Sequence, residues 1–171
     1  MTLLTDELRA WIGREVHYPA REAVGRASIR YYALALGDDS PLHYDRAYAL
    51  EAGFRDVVAP PTFVVDTCQY ADRAAGAEGY IGHEWRLPVE GCRLIRAGNE
   101  YEFHRPVYPD DEVSVIFRLE NIEERSRSAG GTQLFVYSLA TYRNQRGELL
   151  ATNRETTVLQ PSEQSSAGEP R

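Results

Sequence analysis

The sequence predicts an α+β domain in which an antiparallel sheet of about five strands wraps around one apolar helix. Helical periodicity is confined to the first half of the chain, β-type alternation dominates the second half, and short turn signals separate the later strands. With 171 residues, 43% of them hydrophobic, the chain can bury one sizeable core. We expect a single domain over residues 1–160. The tail over residues 161–171 is polar and is expected to be disordered.

The first half carries an edge strand and two short helices. Residues Glu15–Val24 alternate partly, and the internal Pro19 suits an edge strand or a bulge. A helix is predicted over Ser28–Gly37, where the serine can cap the start and the glycine suits the left-handed position that ends a helix. A second helix is predicted over Asp45–Gly53 by the same rules. The predicted end of the first helix and the predicted start of the second therefore fix both ends of the turn between them.

The most apolar helix is predicted after Pro60-Pro61 and forms the centre of the fold. Its apolar face comprises Val64, Cys68, Ala71 and Ala75, and Gly76 ends it. Four strands follow: Arg93–Val107, Val113–Glu124, Gln133–Asn144 and Leu149–Leu159. A curved sheet around one helix is the hot-dog fold. Because an open sheet leaves unpaired edges, we expect a dimer, or a pair with a homologous subunit, that forms a double hot dog.

Composition excludes several functions. All 19 basic residues are Arg, so the chain cannot form a Schiff base, hold pyridoxal phosphate covalently or complete a Walker A loop. The net charge of −7 and the scattered arginines argue against nucleic acid as a partner. No apolar run is long enough for a membrane span, and the start of the chain lacks a signal sequence, so we expect a cytoplasmic protein. Cys68 and Cys92 show no metal or redox spacing and are expected to be structural.

The densest polar cluster lies on the turn between the two short helices. It contains Asp38 and His43, five residues apart, with Pro41 between them. A turn can fold both side chains toward one point, where a carboxylate and an imidazole could hold and activate one water. In the alternative interpretation, Asp38 caps the turn and His43 is a surface residue. No metal site and no cofactor is indicated.

The residues Asp38–Asp45 resemble the D-x-N-P-I/L-H-x-D signature of MaoC-like (R)-specific enoyl-CoA hydratases and 3-hydroxyacyl-thioester dehydratases. Val58–Phe63 and Asn99–Val107 are similar to the FAS1-like, N-terminal-type MaoC dehydratase domain, and the resemblance runs from about Gly13 to Leu159. It implies reversible addition of water to a trans-2-enoyl thioester, giving a (3R)-hydroxyacyl thioester. The resemblance places Asp38 and His43 at the two catalytic positions. The implied substrate is an acyl-CoA or an acyl-carrier thioester, with no further cofactor.

Two positions depart from the family pattern. Ser40 replaces the asparagine that supports the site in relatives, and its hydroxyl can still form a hydrogen bond. Relatives commonly open the central helix with His-Gly, whose backbone N–H receives the thioester carbonyl, whereas this chain has proline at the same place. Since Pro61 has no N–H, the donor either comes from Thr62, from Phe63 or from a partner subunit, or is missing. We therefore assign these three residues and Ser40 to substrate binding.

Two other functions remain open from the sequence. The FAS1-like branch also supplies substrate-binding, non-catalytic halves of double hot dogs, although such halves typically lack the Asp and the His. A hot-dog thioesterase would instead use the carboxylate to activate water at the carbonyl carbon. Further along the chain, His104-Arg105 could face the acyl-CoA groove, but the pattern favours a solvated strand end.

Overall fold

A five-stranded antiparallel sheet dominates the computed structural model, which describes residues 2–65, 82–128 and 130–162. Its strands are β1 (Glu15–Tyr18), β2 (Cys92–Phe103), β3 (Ser114–Ser126), β4 (Thr132–Arg143) and β5 (Leu149–Pro161). The strand order is β1-β3-β4-β5-β2, so β1 and β2 lie at the two edges. The predicted strands, the antiparallel hairpins β3–β4 and β4–β5, and the edge position of the first strand are confirmed. The predicted hairpin between β2 and β3 is wrong, because β2 pairs with β5 at the other edge of the sheet.

The described helices are short. They are α1 (Asp6–Arg9), α2 (Arg26–Leu36), α3 (Arg46–Glu51) and two 3₁₀ helices, Pro41–His43 and Pro61–Val65. The left-handed Gly37 after α2 and the capping of α3 by the Asp45 carboxylate are confirmed. None of the helices in the described ranges combines the length and the apolar character needed to cross a membrane.

Several predicted boundaries were wrong, including the end of β2, which lies at Phe103 rather than at Val107. The helix expected to start at Ser28 begins at Arg26, because Gly25, at φ 76°, turns the chain and donates its N–H to the carbonyl of Pro109 at 2.7 Å. The first strand ends at Tyr18, directly before Pro19, rather than at residue 24. The sequence analysis also missed α1, which the Thr5 side chain caps.

Some predictions lie partly outside the described residues. The central helix is described only as far as the 3₁₀ helix Pro61–Val65, and Cys68 falls in the undescribed part. At the other end, β5 includes Pro161, and the Ser162 N–H donates to the carbonyl of Gly91 at 2.8 Å. Strand β5 therefore ends two residues after the predicted strand end at Leu159. Residues 163–171 lie outside the described part of the chain.

The core consists of two apolar clusters on one face of the sheet. Alternate residues of β4 point into it, as predicted: Leu134, Val136, Ser138 and Ala140 are all buried. The larger cluster gathers around Ile29, Phe63 and Phe117. In the smaller cluster, Leu8 of α1 packs with residues of β3 and β4. Trp85 packs against both clusters, and its indole N–H donates to the Ser138 hydroxyl at 2.8 Å.

A buried carboxylate joins the turn before β3 to the β4–β5 hairpin. The side chain of Asp111 is 1% exposed and accepts hydrogen bonds from the Tyr108 N–H at 2.8 Å and from the Asn144 side chain at 3.3 Å. It also pairs with Arg146 and, at 3.5 Å, with Arg55. Buried charges are tolerated only when they are paired and hydrogen-bonded in this way. This carboxylate therefore fixes how two separate turns pack together.

We predict that Asp111→Ala lowers the free energy of unfolding by about 2–4 kcal/mol, because buried donors on Tyr108 and Asn144 lose their acceptor. Urea denaturation measures this loss. Asp110→Ala is the matched control, since that neighbouring side chain is 59% exposed and pairs with Arg55 at the surface. Such a surface pair contributes at most about 1 kcal/mol. Equal losses in the two variants would contradict the structural role of Asp111.

Candidate active site

The turn after α2 brings Asp38 and His43 together. Gly37 ends the helix in the left-handed conformation, and the Ser40 N–H then donates to Oδ1 of Asp38 at 3.0 Å. Pro41 starts the 3₁₀ helix that carries His43, and the Tyr44 hydroxyl donates to the Asp38 carbonyl at 2.7 Å. The turn therefore places the carboxylate and the imidazole on the same side, as the spacing predicted.

His43 is held on both sides of its ring. Its Nδ1 lies 2.6 Å from the carbonyl oxygen of Val58, and its Nε2 lies 3.2 Å from Oδ2 of Asp38. Because a carbonyl oxygen can only accept, Nδ1 carries a proton and Nε2 faces the carboxylate. His43 is only 6% exposed, so the interpretation of this residue as a surface histidine was wrong. One water can contact both Nε2 and Oδ2.

The carboxyl group of Asp38 has a lowered pKa. The largest cause is the hydrogen bond from the Ser40 N–H, which stabilises the ionised form. The adjacent His43 lowers the pKa further, whereas desolvation opposes both effects. The Asp38 side chain is 38% exposed and is therefore reachable from solvent. At neutral pH it is an ionised proton acceptor.

The pair opens into a cleft of about 460 Å³. Its polar lining residues are Asp38, Ser40, His43, His104 and Arg105, and the rest of its lining is largely apolar: Leu42, Phe54, Val58, Pro60, Pro61, Phe103 and Val107. A polar pair at the end of an apolar cleft suits a ligand with a reactive polar group on a hydrocarbon chain. Within the described residues, no three His, Cys, Asp or Glu side chains lie together as a metal-binding group.

Of the other residues predicted to bind substrate, only some line the cleft. Ser40 and Pro61 line the cleft, whereas Thr62 and Phe63 are not among its lining residues. The Phe63 N–H donates to the carbonyl of Pro60 at 2.9 Å, and its ring is buried against Tyr32. Among the described residues, the Thr62 N–H has no hydrogen-bond acceptor. Thr62 is therefore the remaining candidate donor at the start of this helix.

The sequence analysis underestimated the segment after β2. Phe103, His104 and Arg105 line the cleft, although the pattern favoured a solvated strand end for the last two. The chain leaves the sheet at this point, because the N–H groups of His104 and Arg105 both donate to the carbonyl of Leu150. The signal available in the sequence was the pair His104-Arg105, which directly follows the apolar strand residue Phe103. Its proximity to Asp38 depends on long-range packing and could not be deduced from spacing.

The fold and the cleft together define a hot-dog domain of the MaoC-like type. A solved MaoC-like dehydratase superposes with a TM-score of 0.68 at 27% identity, covering 92% of this chain and 44% of that one. The ChsH1-ChsH2 complex from Mycobacterium tuberculosis superposes with a TM-score of 0.71 at 20% identity, covering 92% and 94%. The predicted hot-dog fold is therefore confirmed.

The chain belongs to the FAS1-like dehydratase domain region family, whose model matches residues 10–153. It is 33% identical over 159 residues to the probable enoyl-CoA hydratase alpha subunit of Thermomonospora curvata, a match covering 86% of this chain and 49% of that protein. It is 34% identical over 163 residues to a UPF0336 protein of Saccharopolyspora erythraea, covering 94% and 96%. The chain thus spans about half of the first relative and nearly all of the second.

We predict that the Asp38 carboxyl titrates below the ordinary aspartate pKa of about 3.9, and that it still does so in His43→Gln, because the hydrogen bond from the Ser40 N–H is the largest single cause of the lowering. Carbon-13 NMR titration measures both values. Because the folded pKa lies below the unfolded one, ionised Asp38 stabilises the fold above the unfolded pKa, and this contribution is lost as pH falls through the folded pKa. An Asp38 that titrates at or above the ordinary value would contradict the prediction.

Proposed function

We propose that the chain is an acyl-thioester hydratase and dehydratase, which interconverts trans-2-enoyl-CoA and (3R)-hydroxyacyl-CoA with Asp38 and His43 as the catalytic pair. The observation that carries this proposal is the 3.2 Å approach of His43 Nε2 to Asp38 Oδ2 at the end of an apolar cleft. Membership of a dehydratase family and the similarity to a probable enoyl-CoA hydratase subunit support the same reaction.

The proposed step adds one water across the double bond. The water oxygen forms a bond to C3 while one of its protons passes to the Asp38 and His43 pair. C2 takes up a proton from the same pair, so the two groups finish in their starting protonation state. Dehydration runs through the same steps in reverse. The lowered pKa keeps the Asp38 carboxyl ionised and so available as a proton acceptor, and the Val58 carbonyl keeps the His43 ring in position.

Charge that develops on the thioester oxygen needs a hydrogen-bond donor. Pro60 and Pro61 provide none, Ala59 donates to the carbonyl of Val107, and Phe63 donates to Pro60. The Thr62 N–H is the donor that remains among the described residues of this segment, and we assign it to the thioester carbonyl. Removal of one such donor typically costs about 10²–10³ in kcat.

The alternative function is a non-catalytic, substrate-binding hot-dog subunit that serves a catalytic partner. The FAS1-like branch and the similarity to the two-subunit ChsH1-ChsH2 complex favour this alternative. The close contact between Asp38 and His43 favours catalysis, because a subunit that only binds substrate has no need to retain both groups in contact. Assay of the purified chain alone separates the two functions.

We predict that Asp38→Asn and His43→Gln each lower kcat for hydration of crotonyl-CoA by about 10²-fold or more, the usual scale for acid-base catalysis. The double variant should be little worse than either single variant, because groups that act as one unit are not additive. Loss of the enoyl-CoA absorbance measures the rate. Asp39→Asn is the matched control, since this exposed neighbour does not line the cleft.

Two results would contradict the catalytic assignment. One is a pair of single variants that both hydrate crotonyl-CoA at the parent rate while remaining folded by circular dichroism. The other is a parent chain that becomes active only when a homologous hot-dog subunit is added, with both variants supporting the same activity. The second result would establish the substrate-binding alternative.

Pairing with a second subunit is part of the same proposal. Strand β2 has twelve residues, hydrogen-bonds to β5 on one side and lies at the sheet edge on the other. Its large apolar residues Ile95, Tyr101 and Phe103 are 36%, 39% and 44% exposed. A long edge strand with exposed apolar side chains favours pairing with another strand. We infer that β2 joins either a second copy of the chain or a homologous hot-dog subunit.

We predict that light scattering finds a dimer at micromolar concentration and that Ile95→Arg weakens it, because the substitution places a charge on the edge strand. Leu34→Arg is the matched control, since this residue is 60% exposed on α2, away from the sheet edge. The parent chain should also pair if a homologous hot-dog subunit replaces the second copy. A parent chain that stays monomeric both alone and with such a subunit would contradict the pairing.

A further inference from the structure

A second cavity adjoins the catalytic cleft. Its volume is about 510 Å³, and Arg105 and Pro106 line both spaces. Three arginines surround it: Arg55, Arg105 and Arg146. The chain has no lysine, so these guanidinium groups are the cations available here. A ligand whose reactive end lies near Asp38 could therefore extend past Arg105 into this second space.

A row of alternating charges runs along the cavity lining and ends just outside it at Asp110. In order they are Arg105, Glu148, Arg146, Asp111, Arg55 and Asp110, and each neighbouring pair lies within 3.5 Å. Arg55 is fully engaged, because it pairs with Asp110 at 2.7 Å and its guanidinium lies 3.9 Å over the Tyr108 ring. The three positive and three negative charges balance.

Arg105 and Arg146 keep unused donors. Nη1 of Arg105 lies 3.5 Å from one oxygen of Glu148, and Nε of Arg146 lies 3.0 Å from the other. Among the described residues, Nε and Nη2 of Arg105 and Nη1 of Arg146 have no hydrogen-bond acceptor. The Arg105 side chain is 59% exposed and can turn toward a ligand. The two guanidinium groups thus flank one carboxylate.

We propose that this cavity is the phosphate subsite for the carrier end of the thioester, with Arg105 and Arg146 as the phosphate-binding residues. The inference rests on the proposed function, because it places the acyl end at Asp38 and His43. Guanidinium groups bind phosphate through paired, charge-assisted hydrogen bonds. Glu148 is the opposing charge, which limits affinity for the anion. Coenzyme A offers a phosphate on its pantetheine arm and others on its nucleotide, and an acyl carrier offers only the first kind.

The first experiment compares two thioesters in Arg105→Gln. Crotonyl-CoA carries phosphates, whereas the crotonyl thioester of N-acetylcysteamine carries none. The variant should lose about tenfold more kcat/KM with the first substrate than with the second, which corresponds to about 1.4 kcal/mol. Glu148→Gln should raise kcat/KM for crotonyl-CoA, because it removes the opposing charge. Equal losses on both thioesters in Arg105→Gln would overturn the proposal.

Arg154→Gln is the matched control. This arginine is 60% exposed, pairs with Glu120 at 2.7 Å and lines neither cavity. It has the exposure of Arg105 and also pairs with a glutamate, so a general loss of positive charge would affect both variants alike. We expect the ratio between the two thioesters to stay at the parent value in this control. If this ratio changed as much in Arg154→Gln as in Arg105→Gln, the effect would be due to net charge, and that result would overturn the proposed subsite.

A second experiment measures binding without turnover. Calorimetry with free coenzyme A, dephospho-coenzyme A and 4′-phosphopantetheine should show weaker binding to Arg105→Gln than to Arg154→Gln. If Arg105→Gln weakens binding of coenzyme A alone, the subsite holds the 3′-phosphate of the nucleotide. If it weakens binding of all three ligands, the subsite holds the phosphate of the pantetheine arm. Equal binding by both variants overturns the subsite even if the chain hydrates crotonyl-CoA. Conversely, an inactive chain whose binding depends on Arg105 contradicts the proposed reaction and supports the subsite.

Discussion

The buried carboxylate of Asp111 is the constraint on which the rest of the structure depends. It holds the turn before β3 against the β4–β5 hairpin, and its backbone carbonyl accepts the Val24 N–H at 2.9 Å. The same turn carries Val107, whose carbonyl accepts the Ala59 N–H at 2.9 Å. The residue before Ala59 is Val58, the acceptor for His43. A continuous series of hydrogen bonds and ion pairs thus connects the deepest charge in the sheet turns to the candidate catalytic imidazole.

The candidate site combines a local part with a distant part. Asp38 and His43 meet because a turn of six residues folds them together, and the Ser40 N–H orients the carboxylate within that turn. The orientation of the imidazole depends on Val58, fifteen residues further on. The turn thus supplies the reactive groups, whereas the surrounding fold selects which nitrogen of the ring faces the carboxylate. The short motif therefore indicates a catalytic site only within the whole domain, because the rest of the domain orients the imidazole.

Sequence patterns predicted the sheet well because alternation and turn residues are local signals. The four long strands and the caps at Gly37 and Asp45 agree with the structure. The start of α2 was misplaced because Gly25 is bound to Pro109, which lies far away in sequence. The cleft position of Arg105 was underestimated for the same reason, since the Leu150 carbonyl on another strand directs the chain there. The proposed phosphate-binding cavity is lined by segments around residues 55, 105 and 146. Because these segments are far apart in the sequence, no local sequence pattern could predict the cavity.

Trp85 connects the two apolar clusters, which also share strands β3 and β4. Its ring packs against both apolar clusters, and its indole N–H is bonded to Ser138 in the middle of β4. Neither cluster can lose its packing without exposing a face of this ring, which is one of the largest apolar surfaces in the chain. Opening of one cluster therefore raises the free energy of the other. This side chain, together with the strands that the two clusters share, couples unfolding of the sheet to unfolding of the N-terminal helix.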